Sequence, residues 1–387
     1  MDQNQKKKKK KANRRRQKEE VMGVSNWSEL CPDLLRCVFK RLSFTSLDRA
    51  KAVCSSWHSA SRGCVPKQNQ IPWLILFPPN EEANSNSSCG FYVPEDEDKV
   101  YRSRDLGVDF ARSRCLTTCG SWLLLLNPLM DLYILNPFSG ERIDLPDTQS
   151  LRLRYLKYVR ACLRIDNKTK CYLVVMLHSC VFAKKGDNKW HDLPLLTFNK
   201  DFVYNHKDQM LYLQDLSNPY LVNIWDLSGD HPRKDGAVSL GYFRFNHYDF
   251  PSFLSEEDHE LYWEKLRGSM NRIVITVSGE FLMVSSIVQH CKSWYFRIYK
   301  TNHVGGKWVK INSLGDEALI YDMGITVIAN DIPGIKRNSI YFSSLDHDKK
   351  DTHHIFVYDI TTQKMEPLPQ CVFSFLPFSN ARWFFPC

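Results

Sequence analysis

From residue 122 onward the chain keeps returning to one short pattern. An apolar, an aromatic and a second apolar residue run into Asp or Asn. A turn of Ser, Thr or Gly follows, and then an apolar residue with Leu-Pro. Leu132-Tyr133-Ile134-Leu135-Asn136 leads through Ser139-Gly140 to Ile143-Asp144-Leu145-Pro146. Val222-Asn223-Ile224-Trp225-Asp226 runs into Leu227-Ser228-Gly229, and Phe356-Val357-Tyr358-Asp359 leads through Thr362 to Met365-Glu366-Pro367-Leu368-Pro369. Looser copies end near Lys184 and Lys300. The copies thus end at 136, 184, 226, 300 and 359, at intervals of 48, 42, 74 and 59 residues.

An interval of ~40 to 50 residues is the length of one four-stranded propeller blade. One such sheet cannot bury both of its faces, so the sheets pack radially around an axis. The sequence therefore predicts a mainly β chain, with a short N-terminal α-helical module followed by a β-propeller of about six or seven blades. The two long intervals leave room for an irregular or extra blade. A pair of β-sandwiches is the competing architecture.

Short apolar and aromatic runs supply the strands: Trp122–Asn127, Leu132–Leu135, Cys171–Met176, Gln209–Leu213, Tyr220–Trp225, Arg272–Val277, Glu280–Ile287, Trp294–Lys300 and Ile355–Asp359. Turn signals such as Asn127-Pro128, Asp187-Asn188, Ser278-Gly279 and Gly305-Gly306 separate them. The first buried strand is read at Ile71–Phe77. At the other end, Trp383, Phe384 and Phe385 are too apolar for a solvated tail. Residues 381 to 385 are therefore expected to pack beside the strand at 71–77 and close the ring.

Residues 27–60 are of another kind. Leu34, Leu35, Val38, Phe39 and Leu42 mark one broad helical face. Pro32 and Asp33 suit the first turn of that helix. Ser46 is read as the cap of a second helix through Leu47, Ala50 and Val53, and a third turns Cys54, Trp57 and Ala60 inward. About 35 residues bury little apolar surface alone, so these faces need a partner or the rest of the chain.

The same residues resemble an F-box, the module that joins a substrate receptor to an SCF (cullin–RING) ubiquitin ligase. The likeness rests on Trp27-Ser28-Glu29-Leu30, Asp33-Leu34-Leu35, Arg41-Leu42, Arg49 and Val53-Cys54-Ser55-Ser56-Trp57. Cys31 stands where the pattern has its proline, Ser46 where it has aspartate, and His58 where it has a basic residue. The resemblance implies docking on a Skp-type adaptor, and through it a cullin, by Leu30, Pro32, Leu34, Leu35, Val38, Leu42, Leu47, Val53 and Trp57. The remainder is similar to a plant F-box family whose C-terminal domain is a kelch-like β-propeller. That likeness is carried by Ser121-Trp122-Leu123, Leu135-Asn136-Pro137-Phe138-Ser139-Gly140, Ser278-Gly279-Glu280-Phe281-Leu282, residues 308–316, Asn338-Ser339-Ile340-Tyr341-Phe342 and Arg382-Trp383-Phe384. It implies a receptor that holds a protein for ubiquitination, without naming that protein. The expected divisions are a basic tail at 1–24, the F-box at 25–66 and the propeller at 67–387.

Charge narrows the partners. The net charge is +9. Lys6, Lys7, Lys8, Lys9, Lys10, Lys11, Arg14, Arg15, Arg16 and Lys18 oppose Asp2, Glu19 and Glu20, so +7 belongs to the first twenty residues and +2 to the rest. A near-neutral body is not built to grip phosphate backbones, and nucleic acid is not expected as a partner. The clusters Lys6 to Lys11 and Arg14 to Arg16 fit a nuclear import signal, which predicts a nuclear protein with a cytoplasmic pool. A solvated tail and a nucleic-acid tether are the other readings.

No apolar run approaches the ~18 to 20 residues of a membrane helix, so no membrane partner is expected. Thirteen cysteines, scattered and without Cys-x-x-Cys, read as reduced thiols. No cofactor or metal is expected. His347 and His353 lack an upstream cysteine pair, and His353-His354 would point to opposite faces of a strand. Glu95-Asp96-Glu97-Asp98 lacks the spacing of a calcium loop, and Gly315-Asp316 lies in no phosphate-binding pattern. There is no Gly-x-Ser-x-Gly elbow. The expectation is a non-catalytic receptor. The rivals are a propeller hydrolase or lyase with carboxylates in its channel, and a nucleic-acid-associated protein led by its tail.

Overall fold

The computed structural model describes residues 27–386 apart from 62–71, 79–86, 95–99, 152–159, 194–198, 216–217, 219–220, 240–265, 290–293, 303–306, 330–333, 344–354, 369–379 and the single positions 40, 43, 150 and 178. Two compact units emerge, Met1–Gln70 and Ile71–Cys387.

In the first unit a 3-10 turn at Trp27–Glu29 precedes α1 (Pro32–Phe39), α2 (Phe44–Lys51) and α3 (Ser55–Ser61). Helix α1 opens where Leu35 N–H reaches the Cys31 carbonyl at 3.1 Å. Helix α2 starts two residues before the expected cap, so Ser46 sits inside its first turn. Leu35, Phe39, Leu47, Ala50 and Ala60 form the interior, with Leu30, Leu42 and Trp57 packed against it. The Phe39 and Trp57 rings meet edge-on at 5.4 Å.

In the second unit the chain lays down β1 (Trp73–Phe77), β2 (Gly90–Tyr92) and β3 (Val100–Arg102), and then a short helix α4 (Val108–Ala111). Three four-stranded meanders follow. They are β4 (Arg114–Cys119) with β5 (Trp122–Leu126), β6 (Leu132–Leu135) and β7 (Arg142–Asp144); β8 (Ala161–Ile165) with β9 (Tyr172–Met176), β10 (Val181–Lys184) and β11 (His191–Asp192); and β12 (Asn199–Asn205) with β13 (Met210–Asp215), β14 (Leu221–Asp226) and β15 (Arg233–Ser239). A fifth is β16 (Leu266–Ile275), β17 (Phe281–Gln289), β18 (Trp294–Asn302) and β19 (Lys307–Ile311).

The sixth blade is irregular. It holds β20 (Glu317–Ile320), a 3-10 turn at Tyr321–Met323, β21 (Ile325–Ile328), β22 (Ser339–Ser343), β23 (Ile355–Asp359) and β24 (Lys364–Pro367). Strand β20 is inserted between β21 and β22, antiparallel to the first and parallel to the second. One parallel pair, Ile275 with Ile325, joins this blade to the fifth. The described strands thus make six blades. The interval of 59 residues spans the added β20–β21 hairpin.

Closure follows the expectation from the C-terminal aromatics. Strand β25 (Asn380–Phe384) pairs antiparallel with β1, from Trp73 opposite Phe384 to Phe77 opposite Asn380. It becomes the innermost strand of the first blade. Around the axis, β25 packs against β4, β4 against β8, and β12 against β16. Residues 371–376 lie outside the described residues.

Each core is a seam between blades, because successive strand residues face opposite neighbours. Val174 joins Trp122, Leu124 and Ile134 of the second blade, while Val175 joins Tyr204, Leu211 and Trp225 of the fourth. Ile273 packs toward Val203 and Val222, and Val274 toward Phe342 and Tyr358. The seam between blades one and two is aromatic. Trp73, Phe91, Phe138 and Phe384 are all in mutual contact, with centroids 4.8 to 6.4 Å apart.

Candidate functional site

Two places can recognise partners. The first is the helical unit. Its α1 turns Leu35 and Phe39 inward and leaves Leu34 and Val38 in solvent at 55% and 37% exposure. Trp27 and Val53 are exposed by 60% and 62%. The Trp57 indole N–H donates to the Trp27 carbonyl at 3.0 Å, fixing the turn that carries Trp27. Asp33 and Arg36 form an exposed pair at 2.8 Å beside this surface.

The nine residues expected to dock an adaptor therefore separate. Pro32, Leu34, Val38 and Val53 are exposed; Leu30, Leu42 and Trp57 are half-buried. Leu35 and Leu47 are placed differently from the other seven. At 1% and 2% exposure they form the interior of the unit and support the surface from beneath. Val53, read as part of the second helix, lies past the end of α2 in a turn where its N–H reaches the Ala50 carbonyl at 3.2 Å. Lys6 to Lys11 and Arg14 to Arg16 lie outside the described residues, as do His347, His353, His354 and Glu95 to Asp98.

A second place lies at the propeller axis, where the first strands of three blades bring charges together. Arg160 immediately precedes β8, Asp201 is on β12 and Arg272 is on β16. Asp201 has only 7% of its side chain exposed. Its carboxylate accepts the Ile273 N–H at 3.0 Å and faces Arg272 Nε at 3.5 Å and an Arg160 nitrogen at 3.9 Å. Arg272 also donates to the Tyr321 carbonyl at 2.9 Å and lies over the Tyr321 ring at 5.3 Å. The Tyr321 hydroxyl meets Ser286 Oγ at 2.9 Å, and burial raises its ionisation to about 12, so it remains a neutral phenol. These residues are distant in sequence and belong to no local motif. The one signal that could have found them is a lone charge at the start of an otherwise apolar run.

Asp201 is held by two guanidinium groups and an amide, and Asp322 places a second carboxylate near Tyr321. What the cluster can do is fix the groups around it and present positive charge. Among the described residues no cluster of His, Cys, Asp or Glu has the arrangement of a metal site.

Comparison with known proteins accounts for both units. The F-box domain model matches residues 27–69, and the KIB1-4 beta-propeller model matches residues 91–359. The chain is 51% identical to the F-box protein At2g05970 of Arabidopsis thaliana, over 94% of this chain and 96% of that one. It is 50% identical to the putative F-box protein At4g17565 of the same plant, over 94% and 95% of the two chains. A third relative, putative F-box protein At4g22660 of Arabidopsis thaliana, is 40% identical over 95% and 98%.

Proposed function

This chain belongs to the F-box proteins that carry a KIB1-4 β-propeller, and from that premise we propose that it is the non-catalytic substrate receptor of an SCF-type ubiquitin ligase. The observation that carries this reading is the apolar surface of Trp27, Leu34, Val38 and Val53, exposed on a helical unit whose interior is already filled. Covering that surface with a Skp-type adaptor would tether the propeller to a cullin. The propeller would then hold a protein so that its lysines meet the ubiquitin-loaded enzyme at high effective concentration. We take the propeller to be of the kelch-like type and the source to be a plant, in keeping with the Arabidopsis relatives.

Affinity purification of the full chain should retain a Skp-type adaptor and a cullin, and deletion of residues 25–66 should abolish both. Undiminished retention after the deletion would overturn the reading. The basic clusters at 6–11 and 14–16 support a nuclear protein with a cytoplasmic pool. Changing both clusters to Gln should move a large fluorescent fusion toward the cytosol.

A further inference from the structure

The two ends of this propeller are built differently. In each regular blade the first strand runs from one face of the ring, here the leading face, to the opposite one, the trailing face. Connections between first and second strands, and between third and fourth, join strand ends on the trailing face. Several of those described are tight and capped by their own side chains. Asp166 Oδ1 accepts from Thr169 N–H at 2.7 Å, Asp226 Oδ1 from Ser228 N–H at 2.7 Å, and Asp359 Oδ1 from Thr362 N–H at 2.8 Å. Asn136 does the same for Phe138 N–H at 3.0 Å. Such turns spend their polar groups on the backbone and leave little for a partner.

The longest connections in the chain, residues 78–89, 103–113, 145–160, 240–265, 344–354 and 368–379, all join strand ends on the leading face. Length variation gathered on one face of a repeat array marks the face that binds. Arg160 precedes β8 and Asp201 sits near the start of β12, so both lie at the leading end of the axis. The 3-10 turn carrying Tyr321 precedes β21, whose first residue Ile325 pairs with Ile275 at the trailing end of β16, so Tyr321 meets the cluster from deeper along the axis, through Arg272.

Arg160 and Asp201 therefore stand at the axial mouth of the leading face, with Arg272 and Tyr321 packed deeper along the axis. Two guanidinium groups share one carboxylate there. Asp201 is nearly sealed, and Arg272 is 14% exposed and tied to Tyr321; Arg160 has 43% of its side chain in solvent. Asp322, beside Tyr321, adds one further negative charge near the cluster. Asp201 is thus positioned to hold Arg272 in place, and Arg160 is the more exposed of the two guanidinium groups that face it. A guanidinium held at the rim of a partly desolvated mouth favours carboxylate or phosphate oxygens over neutral groups.

We propose that the leading axial mouth of the propeller, through Arg160 backed by Asp201, Arg272 and Tyr321, receives an anionic side chain of the protein that this receptor recognises. The shared ligand chemistry is an oxyanion on an extended peptide segment, supplied by Asp or Glu or by a phosphorylated residue. The proposal rests on the substrate-receptor reading, but its test does not pass through the adaptor.

The test uses the purified full chain and four pools of twelve-residue peptides. These are randomised except for a central Glu, phosphoserine, Gln or Lys. At low salt the Glu pool, the phosphoserine pool or both should be retained about fivefold over the Gln pool, the scale of one charge-assisted contact at a half-exposed site. Preference for Glu alone identifies a carboxylate source, and preference for phosphoserine alone a modified one. Arg160→Ala should remove the preference and Arg160→Glu should shift it toward the Lys pool. Arg233→Ala, which deletes an equal charge at the start of β15 on the trailing face, should leave it intact. Equal retention of the Glu, phosphoserine and Gln pools, no retention of any pool, or a preference unchanged in Arg160→Glu would overturn the anion site. Each of those results leaves adaptor and cullin co-purification, and so the receptor reading, standing or falling separately.

Discussion

The Thr118 hydroxyl donates to the Trp383 carbonyl at 3.0 Å, across 265 residues of chain. This bond joins the innermost strand of the second blade to the strand that ends the described chain. Trp383 and Phe384 are 2% and 0% exposed, and between them they enter both seams of the first blade. The ring is shut by the chain end, so that end should set its stability. Removing residues 380–387 should lose several kcal/mol, at ~1.5 to 3 for each large apolar side chain plus the ladder with β1. Thr118→Val should cost only about 1 kcal/mol, the net worth of one hydrogen bond. Urea unfolding of both variants beside the parent checks the order. A truncated protein as stable as Thr118→Val would show that the closure is ornamental.

Gly324 should tolerate no side chain. Its φ is +69°, and a Cβ there would stand 2.7 Å from Val203 Cγ2 and 3.2 Å from the Ile273 carbonyl oxygen. A left-handed backbone costs an ordinary residue about 1 to 2 kcal/mol, and overpacking adds about 1 to 3. Gly324→Ala should therefore lose ~2 to 5 kcal/mol, by the sum of those two terms. In the double variant with Val203→Ala the losses should fall short of additivity, since the shorter side chain relieves the clash. Full additivity in a thermodynamic cycle would place the damage elsewhere.

The strands that the sequence revealed and those it hid differ for a physical reason. The nine strands read from apolar runs between residues 122 and 359 are all present, shifted by at most a few residues except at β16, which begins six earlier. They are chiefly the middle strands of their blades, buried on both faces: Trp122–Leu126 and Tyr172–Met176 have no exposed residue. The innermost strands β4, β8 and β12 were not legible. RCLTTC, ACLRI and NKDFVYN carry polar residues because one edge of each faces the axis. The axial cluster was hidden for the same reason, since Arg160, Asp201 and Arg272 meet only when three blades are in place. The repeat itself was legible because it marks the third strand and its turn in five blades. There Asn136, Asp226 and Asp359 do local work that demands a fixed residue type. The burial of Leu35 and Leu47 was not legible, because helical periodicity gives the apolar face without saying which part of it the module fills by itself.

Acid should weaken the propeller through His206. The ring lies edge-on to Tyr204 at 4.6 Å, and burial lowers its ionisation to about 4. The unfolded chain takes up the proton near the ordinary value of ~6.5. Between those two values the unfolded state binds more protons, so stability rises with pH and is lost as pH falls through that window. One such group contributes at most ~1.4 kcal/mol per pH unit. His206→Phe keeps an aromatic ring beside Tyr204 and removes the proton. Its urea midpoint should fall less than that of the parent between pH 6.5 and 5, and match the parent's trend above pH 7. Parallel profiles would show that His206 titrates normally.

Adaptor docking and stability should separate within a single helix turn. Leu34 and Leu35 are adjacent on α1, one 55% exposed and the other 1%. If the exposed face binds, Leu34→Asp places a charge in a desolvated interface without touching the interior. Affinity for a Skp-type adaptor should fall by about 2 kcal/mol or more, the usual scale for a central interface residue. The thermal midpoint of the helical unit should stay close to the parent's. Val53→Asp should behave alike, because Val53 sits in the turn before α3 and is 62% exposed. Leu35→Ala should do the reverse in origin. It empties space among Phe39, Leu47 and Ala60, costs ~2 to 5 kcal/mol of stability, and weakens binding only through the fraction unfolded. Calorimetric titration with the adaptor, at a temperature where the Leu35→Ala unit remains folded, distinguishes the two. Near-parent affinity for Leu34→Asp and Val53→Asp together would mean that the adaptor contacts another face, and the apolar surface would need a different occupant.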